Sequence, residues 1–368
     1  MTRRLVGLDL AFAYAGHDVV RGASVAVAPG RVTAVVGPSG SGKSTLLWLM
    51  AGLLEPRAGR IVLADSADAA AAASVGARHA SPDETPQVCG RGLPRPYVNE
   101  RFSQPVNFAR VRLGMVFQSS ALWEHLTAEE HLALVLAGKG FDRRERRRRV
   151  EGTLARLRLG ALRGRRPSQL SGGEARRLAI ARAIVADPEW LLLDEPLVHL
   201  DGPARAELFA TLREVLGRTR AGVLMATHDA REAMRLASEI VVLADGAVAQ
   251  SGTPEEVYRR PASLAVARML GPASEISGEA RSGVLSRGGR PVIENLPQEM
   301  AGTQRLLLRP EDVEFRAAAG GAVTVRRCEF DGAAVLLTVD AAGEEVAVRQ
   351  SEALPAGEAG FLRLIKRV

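Results

Sequence analysis

Cysteine and aromatic residues are scarce in this sequence, and long apolar runs are missing from it. Only two of the 368 residues are cysteine, Cys89 and Cys328, and their wide separation excludes a disulfide framework or a cysteine metal site. Aromatic residues make up 4%, so a core must be built mainly from Leu, Val, Ile and Ala. No run of about 18 apolar residues occurs, and the first residues lack the apolar core of a signal peptide. These absences predict a cytoplasmic protein that only another chain could hold at a membrane.

Negative charge is also in deficit, because the formal net charge is +7 and arginine dominates the basic side. This balance suits an anionic partner such as a phosphate ligand, a nucleic acid or a membrane surface, and it suits solvated basic faces equally well. The densest basic run, Arg143 to Arg149, could bind lipid or nucleic acid, although a solvated helix face is the favoured interpretation. The charge therefore selects no partner by itself.

Helices and apolar strands alternate along the first part of the chain. The predicted strands are Leu8–Tyr14, Ser24–Ala28, Val32–Val36, Ile61–Ala64, Arg112–Phe117, Trp190–Leu193 and Gly222–Thr227. The predicted helices are Lys43–Leu53, Thr127–Ala137, Arg143–Leu159 and Gly173–Val185. The segment 65–110 has no periodicity and is predicted to be a long loop or partly disordered insertion, with docking of a partner as the alternative. The alternation predicts an α/β fold with a largely parallel sheet covered by helices.

The pattern changes near residue 271, where short alternating strands replace the helical spacing. The strand candidates in this region are Leu306–Leu308, Val313–Phe315, Ala322–Val325, Ala334–Val339 and Val346–Val348. We therefore predict an α/β domain over residues 1–270 and a small all-β domain over residues 271–368.

A glycine-rich segment between a strand and a helix carries the strongest chemical signal. It follows Val32–Val36 and consists of Gly37, Pro38, Ser39, Gly40, Ser41, Gly42, Lys43, Ser44 and Thr45. This G-x-x-x-x-G-K-S pattern, in a strand-to-helix context, predicts a phosphate-binding loop. We expect Lys43 to reach the β- and γ-phosphates of a nucleotide and the Ser44 hydroxyl to bind Mg²⁺. The alternative, a glycine-rich helix start without nucleotide, rarely shows the full pattern.

Two acids follow a second apolar strand, in the run Leu191 to Pro196. The carboxyl ends of parallel strands form the edge where such sheets bind ligands. Asp194 therefore suits the Mg²⁺ shell, and Glu195 is placed to orient or deprotonate an attacking water. An acidic pair at a strand end is common by chance, so this interpretation depends on the phosphate loop upstream.

Between these motifs lies LSGGE, Leu170 to Glu174, at the start of a predicted helix. With the three motifs in this order, the chain resembles the ATP-binding cassette (ABC) family over about residues 3–270. The resemblance implies a P-loop NTPase cassette with a RecA-like core, an antiparallel β subdomain and a helical subdomain over about residues 119–188. It also implies that ATP is hydrolysed with Mg²⁺.

The family resemblance implies further residue roles, and several of them act across a dimer. Ser171, Gly172 and Gly173 would contact the γ-phosphate held by an opposing subunit, and Asp201 would lie at the dimer interface. Two copies, or one copy and a paralogous ATPase, would sandwich the nucleotides.

Other roles implied by the resemblance belong to a single subunit. Gln118 would be a catalytic and Mg²⁺-sensing residue that couples to the membrane subunit. His228 would be the catalytic switch histidine, beside Lys43 and Glu195, and Tyr14 would stack on adenine.

Two residues depart from the family pattern. Glu174 stands where this group more often has Gln, which would change the charge of a contact on the nucleotide side. His199 occupies a position that is usually small or polar, which would alter packing at the dimer interface.

The last third of the chain indicates the branch of the family. Gly252 to Tyr258 resembles the end of importer ATPases, and Leu306 to Phe315 resembles their TOBE-like, OB-like accessory domain. The resemblance implies a subunit peripheral to the inner face of the cell membrane, with two transmembrane permease subunits, indirectly a solute-binding protein, and no nucleic acid. An exporter ATPase, a soluble ABC ATPase acting on nucleic acid or ribosomes, and a regulatory module without turnover are the alternatives.

Overall fold

The structure, a computed structural model, describes residues 3–65, 106–108, 111–332 and 334–365. The predicted insertion at 65–110 lies outside the described residues except for Asp65 and residues 106–108. Contacts divide the chain into two units, Met1–Arg260 and Pro261–Val368. Across the described ranges, none of the helices combines the length and the apolar character needed to span a membrane.

The first unit contains two sheets. Its described strands are β1 (Arg3–Tyr14), β2 (His17–Val27), β3 (Val32–Val36), β4 (Ala58–Asp65), β5 (Leu113–Val116), β6 (Trp190–Asp194), β7 (Gly222–Thr227), β8 (Glu239–Ala244) and β9 (Ala247–Gly252). β2, β1 and β4 form an antiparallel sheet in that order. β1 and β2 meet at the two-residue turn of Ala15 and Gly16, both with positive φ, the geometry that suits the twist of a tight hairpin. This turn explains why β2 begins at His17, earlier than predicted, whereas β1 extends back to Arg3 because that end pairs with β4.

The second sheet of this unit places the site. Its strand order is β5-β6-β7-β3-β8-β9, and only β9 pairs antiparallel with its neighbour. Every residue of β3, β6 and β7 is buried. Such uniform burial requires cover on both faces of the sheet, which is typical of parallel strands flanked by helices. Val36, at the end of β3, pairs with Thr227, and Asp194, at the end of β6, pairs with Ala226. The carboxyl ends of these three strands therefore meet at one edge.

The described helices of the first unit are α1 (Lys43–Met50), α2 (Ala128–Leu136), α3 (Arg143–Arg156), α4 (Gly172–Ile184), α5 (Gly202–Arg218), α6 (Ala230–Leu236) and α7 (Pro254–Arg259). Side chains of Thr127, Asp142 and Ser171 cap the amino ends of α2, α3 and α4, where main-chain N–H groups lack partners within the helix. α3 ends earlier than the predicted Leu159, because Arg158 adopts a left-handed conformation that ends the helix.

In its described residues, the second unit combines one helix, α8 (Leu264–Leu270), with a nine-stranded sheet. Its strands are β10 (Ser274–Arg281), β11 (Val284–Arg287), β12 (Arg290–Glu294), β13 (Gly302–Leu308), β14 (Val313–Ala317), β15 (Val323–Phe330), β16 (Val335–Ala341), β17 (Glu344–Gln350) and β18 (Ala359–Leu364). Arg309 lies buried in this unit, and its Nη1 donates to the Ala267 carbonyl over 2.8 Å. This contact joins α8 to the sheet, so α8 groups with the β unit, whereas the sequence predicted the boundary after residue 270.

Candidate nucleotide-binding site

The phosphate loop runs from the buried end of β3 to the first turn of α1. Gly42 caps α1 with φ of 97°, a left-handed conformation that favours glycine. At Gly37, a Cβ would lie 2.2 Å from the main-chain oxygen of Leu243. These two positions therefore require glycine for different reasons, one conformational and one steric. The Ser41 hydroxyl is buried within the loop and, among the described atoms, has no hydrogen-bond partner.

Lys43 is buried where the loop becomes helix, with 5% of its surface exposed. Its Nζ donates to the main-chain oxygens of Gly37 over 3.0 Å and Pro38 over 2.8 Å. Burial lowers the pKa of Lys43, and the nearby charges of Glu195 and Asp194 oppose that effect. The ammonium group is thus held over the loop by its own carbonyl oxygens.

Ser44 and Asp194 come together from α1 and from the end of β6. The Ser44 hydroxyl donates to Asp194 Oδ1 over 2.8 Å. Asp194 is 1% exposed, and this burial raises the pKa of its carboxyl, an effect that the Ser44 hydrogen bond opposes. The result is a hydroxyl oxygen and a carboxylate oxygen held together beside the phosphate loop.

Glu195 and His228 form the second pair at this edge. His228 Nδ1 lies 3.2 Å from Glu195 Oε2, and the two residues follow the neighbouring strands β6 and β7. Glu195 has φ of 44°, which is unusual for a residue other than glycine, and its main-chain N–H donates to Ala226 over 2.9 Å. Both residues line a small cavity together with His199, which itself has φ of 60°.

The LSGGE residues stand at the capped start of α4. The Glu174 carboxylate accepts from the Ser171 main-chain N–H over 2.7 Å, and the Ser171 hydroxyl accepts from the Glu174 N–H over 3.3 Å. The bond from the Ser171 main chain holds the pKa of Glu174 below its ordinary value. Glu174, which departs from the family pattern, therefore caps its own helix. Positions for a Cβ at Gly172 and Gly173 face Leu200 and Ala204.

The remaining residues singled out from the sequence have local partners. Asp201 caps α5 by accepting from the Ala204 main-chain N–H over 2.9 Å. Tyr14 is 43% exposed and meets Phe12 edge to face, with ring centroids 4.9 Å apart. Gln118 is exposed, and its main-chain oxygen accepts a hydrogen bond from Arg176. The structure thus gathers Lys43 and the two pairs at one edge, whereas the hydrogen bonds and ring contacts described for Tyr14, Gln118, Asp201 and the LSGGE residues are with other partners.

Two arginines near the site were missed by the sequence analysis. Arg176 is 3% exposed on α4, and burial lowers its pKa to about 10, with Asp194 and Glu195 opposing the shift. Arg205 on α5 pairs with Asp229 and Glu232, and Glu232 also accepts from the Thr227 hydroxyl over 2.8 Å. The one sequence signal for a buried cation is the consecutive pair Arg176 and Arg177 after LSGGE, since at least one of two adjacent helical residues must face the core side of the helix.

Comparison with known proteins agrees with this geometry. The profile of the ABC transporter family matches residues 20–198, and that of the TOBE domain matches residues 306–364. An sn-glycerol-3-phosphate import ATP-binding protein of Ralstonia nicotianae is 36% identical over 351 residues, covering 91% of this chain and 87% of the relative. An Fe(3+) ions import ATP-binding protein of Brucella abortus is 34% identical over 305 residues, covering 81% and 76%. A sulfate/thiosulfate import ATP-binding protein of Rhizobium meliloti is 35% identical over 301 residues, covering 81% and 77%.

A solved structure shows the same cassette. The ATP binding subunit of an ABC transporter superposes with a TM-score of 0.52 at 27% identity, covering 70% of this chain and 92% of that one. These similarities extend over the phosphate loop, the acids after β6 and the β-rich second unit. The chain therefore belongs to the ABC transporter family, as an ATP-hydrolysing subunit of the importer type that carries a TOBE domain.

Proposed function

We propose that this chain hydrolyses ATP with Mg²⁺ at the edge formed by β3, β6 and β7, and that closure of a nucleotide-bound dimer drives the uptake of a small solute. The observation that carries the proposal is the pair of contacts at this edge, Ser44 to Asp194 over 2.8 Å and Glu195 to His228 over 3.2 Å. They stand beside Lys43, which is buried in the phosphate loop.

The residues at this edge fit a magnesium ion. Mg²⁺ prefers hard oxygen ligands and keeps several waters, so one hydroxyl and one carboxylate are a typical protein contribution. Ser44 and Asp194 supply these two ligands, and the family resemblance alone implies the Gln118 side chain as a third. Bound there, the ion would neutralise charge on the phosphate oxygens. The Ser41 hydroxyl, which has no hydrogen-bond partner in the described part of the chain, is a further polar group that a nucleotide phosphate would satisfy.

The second pair is suited to proton transfer and water orientation. Glu195 accepts the proton of the attacking water or orients that water, and His228 holds the carboxylate in place through its Nδ1. Lys43 stabilises negative charge on the transferred phosphate. Tyr14 offers an exposed ring on which adenine stacks.

The dimer interface would contain Ser171 to Gly173 and Asp201. Gly172 and Gly173 lie next to Leu200 and Ala204, so the amino ends of α4 and α5 share one surface. A helix start with glycines offers main-chain N–H groups to an anion, in this case the γ-phosphate bound by a second copy or a paralogous ATPase. ATP binding at both sites then favours the closed dimer over the open one.

A groove near Gln118 is suited to a permease subunit. It has a volume of about 450 Å³, and its lining includes Met115, Phe117, Trp123 and Arg182. Trp123 is 44% exposed, which leaves an aromatic anchor for a partner. We infer two permease subunits, a solute-binding protein acting through them, and a position at the inner face of the cell membrane. The relatives' names cover an iron ion, a phosphorylated glycerol and sulfate, as expected if the solute contacts the permease instead of this subunit.

Replacement of Glu195 by Gln tests the hydrolytic assignment. Because the amide cannot accept the proton of water, we expect turnover to fall about 10²- to 10⁴-fold while ATP binding persists. The variant should then accumulate as an ATP-bound dimer, which light scattering with and without ATP would detect. Glu189→Gln is the matched control, because Glu189 immediately precedes β6 as Glu195 follows it, and it pairs with Arg112 at the surface. Undiminished turnover in Glu195→Gln would contradict the assigned role.

A further inference from the structure

A single buried guanidinium group connects the segments that carry the proposed catalytic residues. Arg176 Nε donates to the Pro196 carbonyl over 2.9 Å, and Nη2 donates to Asp194 over 2.8 Å and to Glu195 over 2.6 Å. Nη1 donates to Gln118 over 3.0 Å and also to Phe117. All five acceptors are main-chain oxygens: the last residue of β6 and the two residues after it supply three, and the two residues after β5 supply the others.

These oxygens lie where the two strands end. β5 ends at Val116 and β6 at Asp194, so the carbonyl of Asp194 and the four carbonyls beyond the two strand ends lie where the regular hydrogen bonding of the sheet stops. Buried carbonyl oxygens need donors, and one planar guanidinium group supplies several in a fixed fork. Lysine has three donors on a single nitrogen, and glutamine has two, so neither can reproduce the set.

The contacts also bracket a strained residue. Glu195 has positive φ, a conformation that persists only when the surroundings hold it. Arg176 binds the carbonyl oxygens before and after the Glu195 α-carbon, and so restrains both of its flanking peptide groups. The same side chain extends from α4, the helix that begins next to Ser171.

We propose that Arg176 is a positioning residue for ATP hydrolysis, which fixes the main chain of Gln118 and Glu195 relative to the helix that starts at Ser171. The inference depends on the proposed roles of Gln118 and Glu195. Arg176 itself is not proposed to contact ATP. A shift of α4 would be transmitted through the guanidinium group to both segments, because the five hydrogen bonds share one rigid plane.

The first test compares Arg176→Gln and Arg176→Lys with the wild type at a temperature where all three are folded. Misplacing catalytic groups by about 1 Å can cost roughly 10²-fold in rate, so we expect kcat to fall ~10- to 100-fold in Arg176→Gln. Arg176→Lys should retain an intermediate kcat. The affinity for ATP should change by less than about threefold, because the phosphate loop is untouched.

The adjacent residue provides a matched control. Arg177 is also a buried arginine of α4, at 8% exposure, but it pairs with Glu207 on α5 over 3.4 Å. Arg177→Gln should therefore lower the thermal unfolding temperature while kcat stays near that of the wild type. Equal losses of kcat in the variants at positions 176 and 177 would indicate a purely structural effect and would overturn the proposal.

A double-mutant cycle with Gln118→Ala separates positioning from stability. Gln118→Ala keeps the main-chain oxygen that Arg176 binds and removes only the side chain that Arg176 is proposed to position. If Arg176 acts partly through that side chain, the kcat losses of Arg176→Lys and Gln118→Ala should be less than multiplicative in the double variant. Multiplicative losses, or wild-type kcat in Arg176→Lys, would contradict the inference. Failure of the proposed function would look different, because the wild type itself would then show no ATP turnover.

Discussion

His131 shows how one buried side chain can make this fold sensitive to pH. Its Nδ1 lies 2.8 Å from the Thr127 carbonyl, and its Nε2 accepts from the Trp123 main-chain N–H over 2.9 Å. A neutral ring with the proton on Nδ1 satisfies both contacts, whereas a second proton on Nε2 would face the Trp123 donor. Burial lowers the pKa of His131 below its ordinary 6.5, and the charges of Arg182 and His125 lower it further.

The folded state should therefore lose stability when the pH falls below about 6.5, since the unfolded chain takes up the proton first. We predict that His131→Gln lowers the free energy of unfolding by about 1–3 kcal/mol near neutral pH, because buried groups lose a hydrogen-bond partner. The variant should also lose less stability than the wild type between about pH 7 and pH 5. Urea unfolding at both pH values measures this, with His17→Gln, an exposed site, as the control. Equal acid sensitivity of the wild type and His131→Gln would rule out this role.

At the scale of elements, replacing glycine by alanine should have opposite effects on stability in the phosphate loop and in helix α3. A Cβ at Gly37 would meet the Leu243 oxygen at 2.2 Å and the Ser41 hydroxyl at 2.7 Å. A Cβ at Gly152, inside α3, would meet nothing within 4 Å. The loop is packed against the end of β8, whereas the helix leaves this face open.

We predict that Gly37→Ala destabilises the protein by about 1–3 kcal/mol and weakens ATP binding, because the loop must move away from β8. Gly152→Ala should stabilise it by up to about 1 kcal/mol, because alanine is the better helix former. Thermal unfolding and nucleotide titration of both variants measure these effects. A Gly37→Ala protein with unchanged stability and ATP affinity would show that the loop relaxes freely.

Elements with strong local signals were predictable from the sequence. The apolar run Trp190–Leu193 became β6, and the predicted helix Gly173–Val185 became α4, since Ser171 and Glu174 form a local cap. The strands β10 and β18 were missed, because their buried residues are separated by polar or small ones and no single face is strongly apolar. Short amphipathic strands of this kind depend on their neighbours for burial.

The residues of the candidate site also fall into those that the sequence could predict and those that it could not. Lys43, Ser44, Asp194 and Glu195 could be located from motif spacing, because a strand end or a helix start fixes each position. Arg176 could not, since its five acceptors come from two segments that are distant in sequence. The expected effect of Glu174 on a nucleotide contact stays a prediction, and its carboxylate also caps its own helix.

At the scale of the whole molecule, the second unit has a hydrophobic core of its own. That core includes Leu308, Leu337, Val339 and Leu362, all 0% exposed. The Arg309 guanidinium group donates a hydrogen bond to the Ala267 carbonyl, and this bond links α8 to the sheet of the same unit. A separate core of this kind is what allows a domain to fold alone.

We predict that residues 261–368 fold when expressed by themselves, with a cooperative urea transition followed by circular dichroism. A fragment starting at residue 274 lacks α8 and should be less stable by about 1–3 kcal/mol, because the Arg309 guanidinium group loses its acceptor at Ala267. A gradual, non-cooperative transition of the longer fragment would show that it needs the remainder of the chain.

The strand order of the parallel sheet also has a consequence for how the protein is made. β3, which leads into the phosphate loop, lies between β7 and β8, and these begin only at Gly222 and Glu239. During synthesis, about two hundred residues must leave the ribosome before β3 gains either neighbour, so the loop emerges early and its support arrives late. The phosphate loop of a growing chain therefore lacks its neighbouring strands until most of the cassette has been translated. The chain can bind ATP in this loop only when the domain is nearly complete.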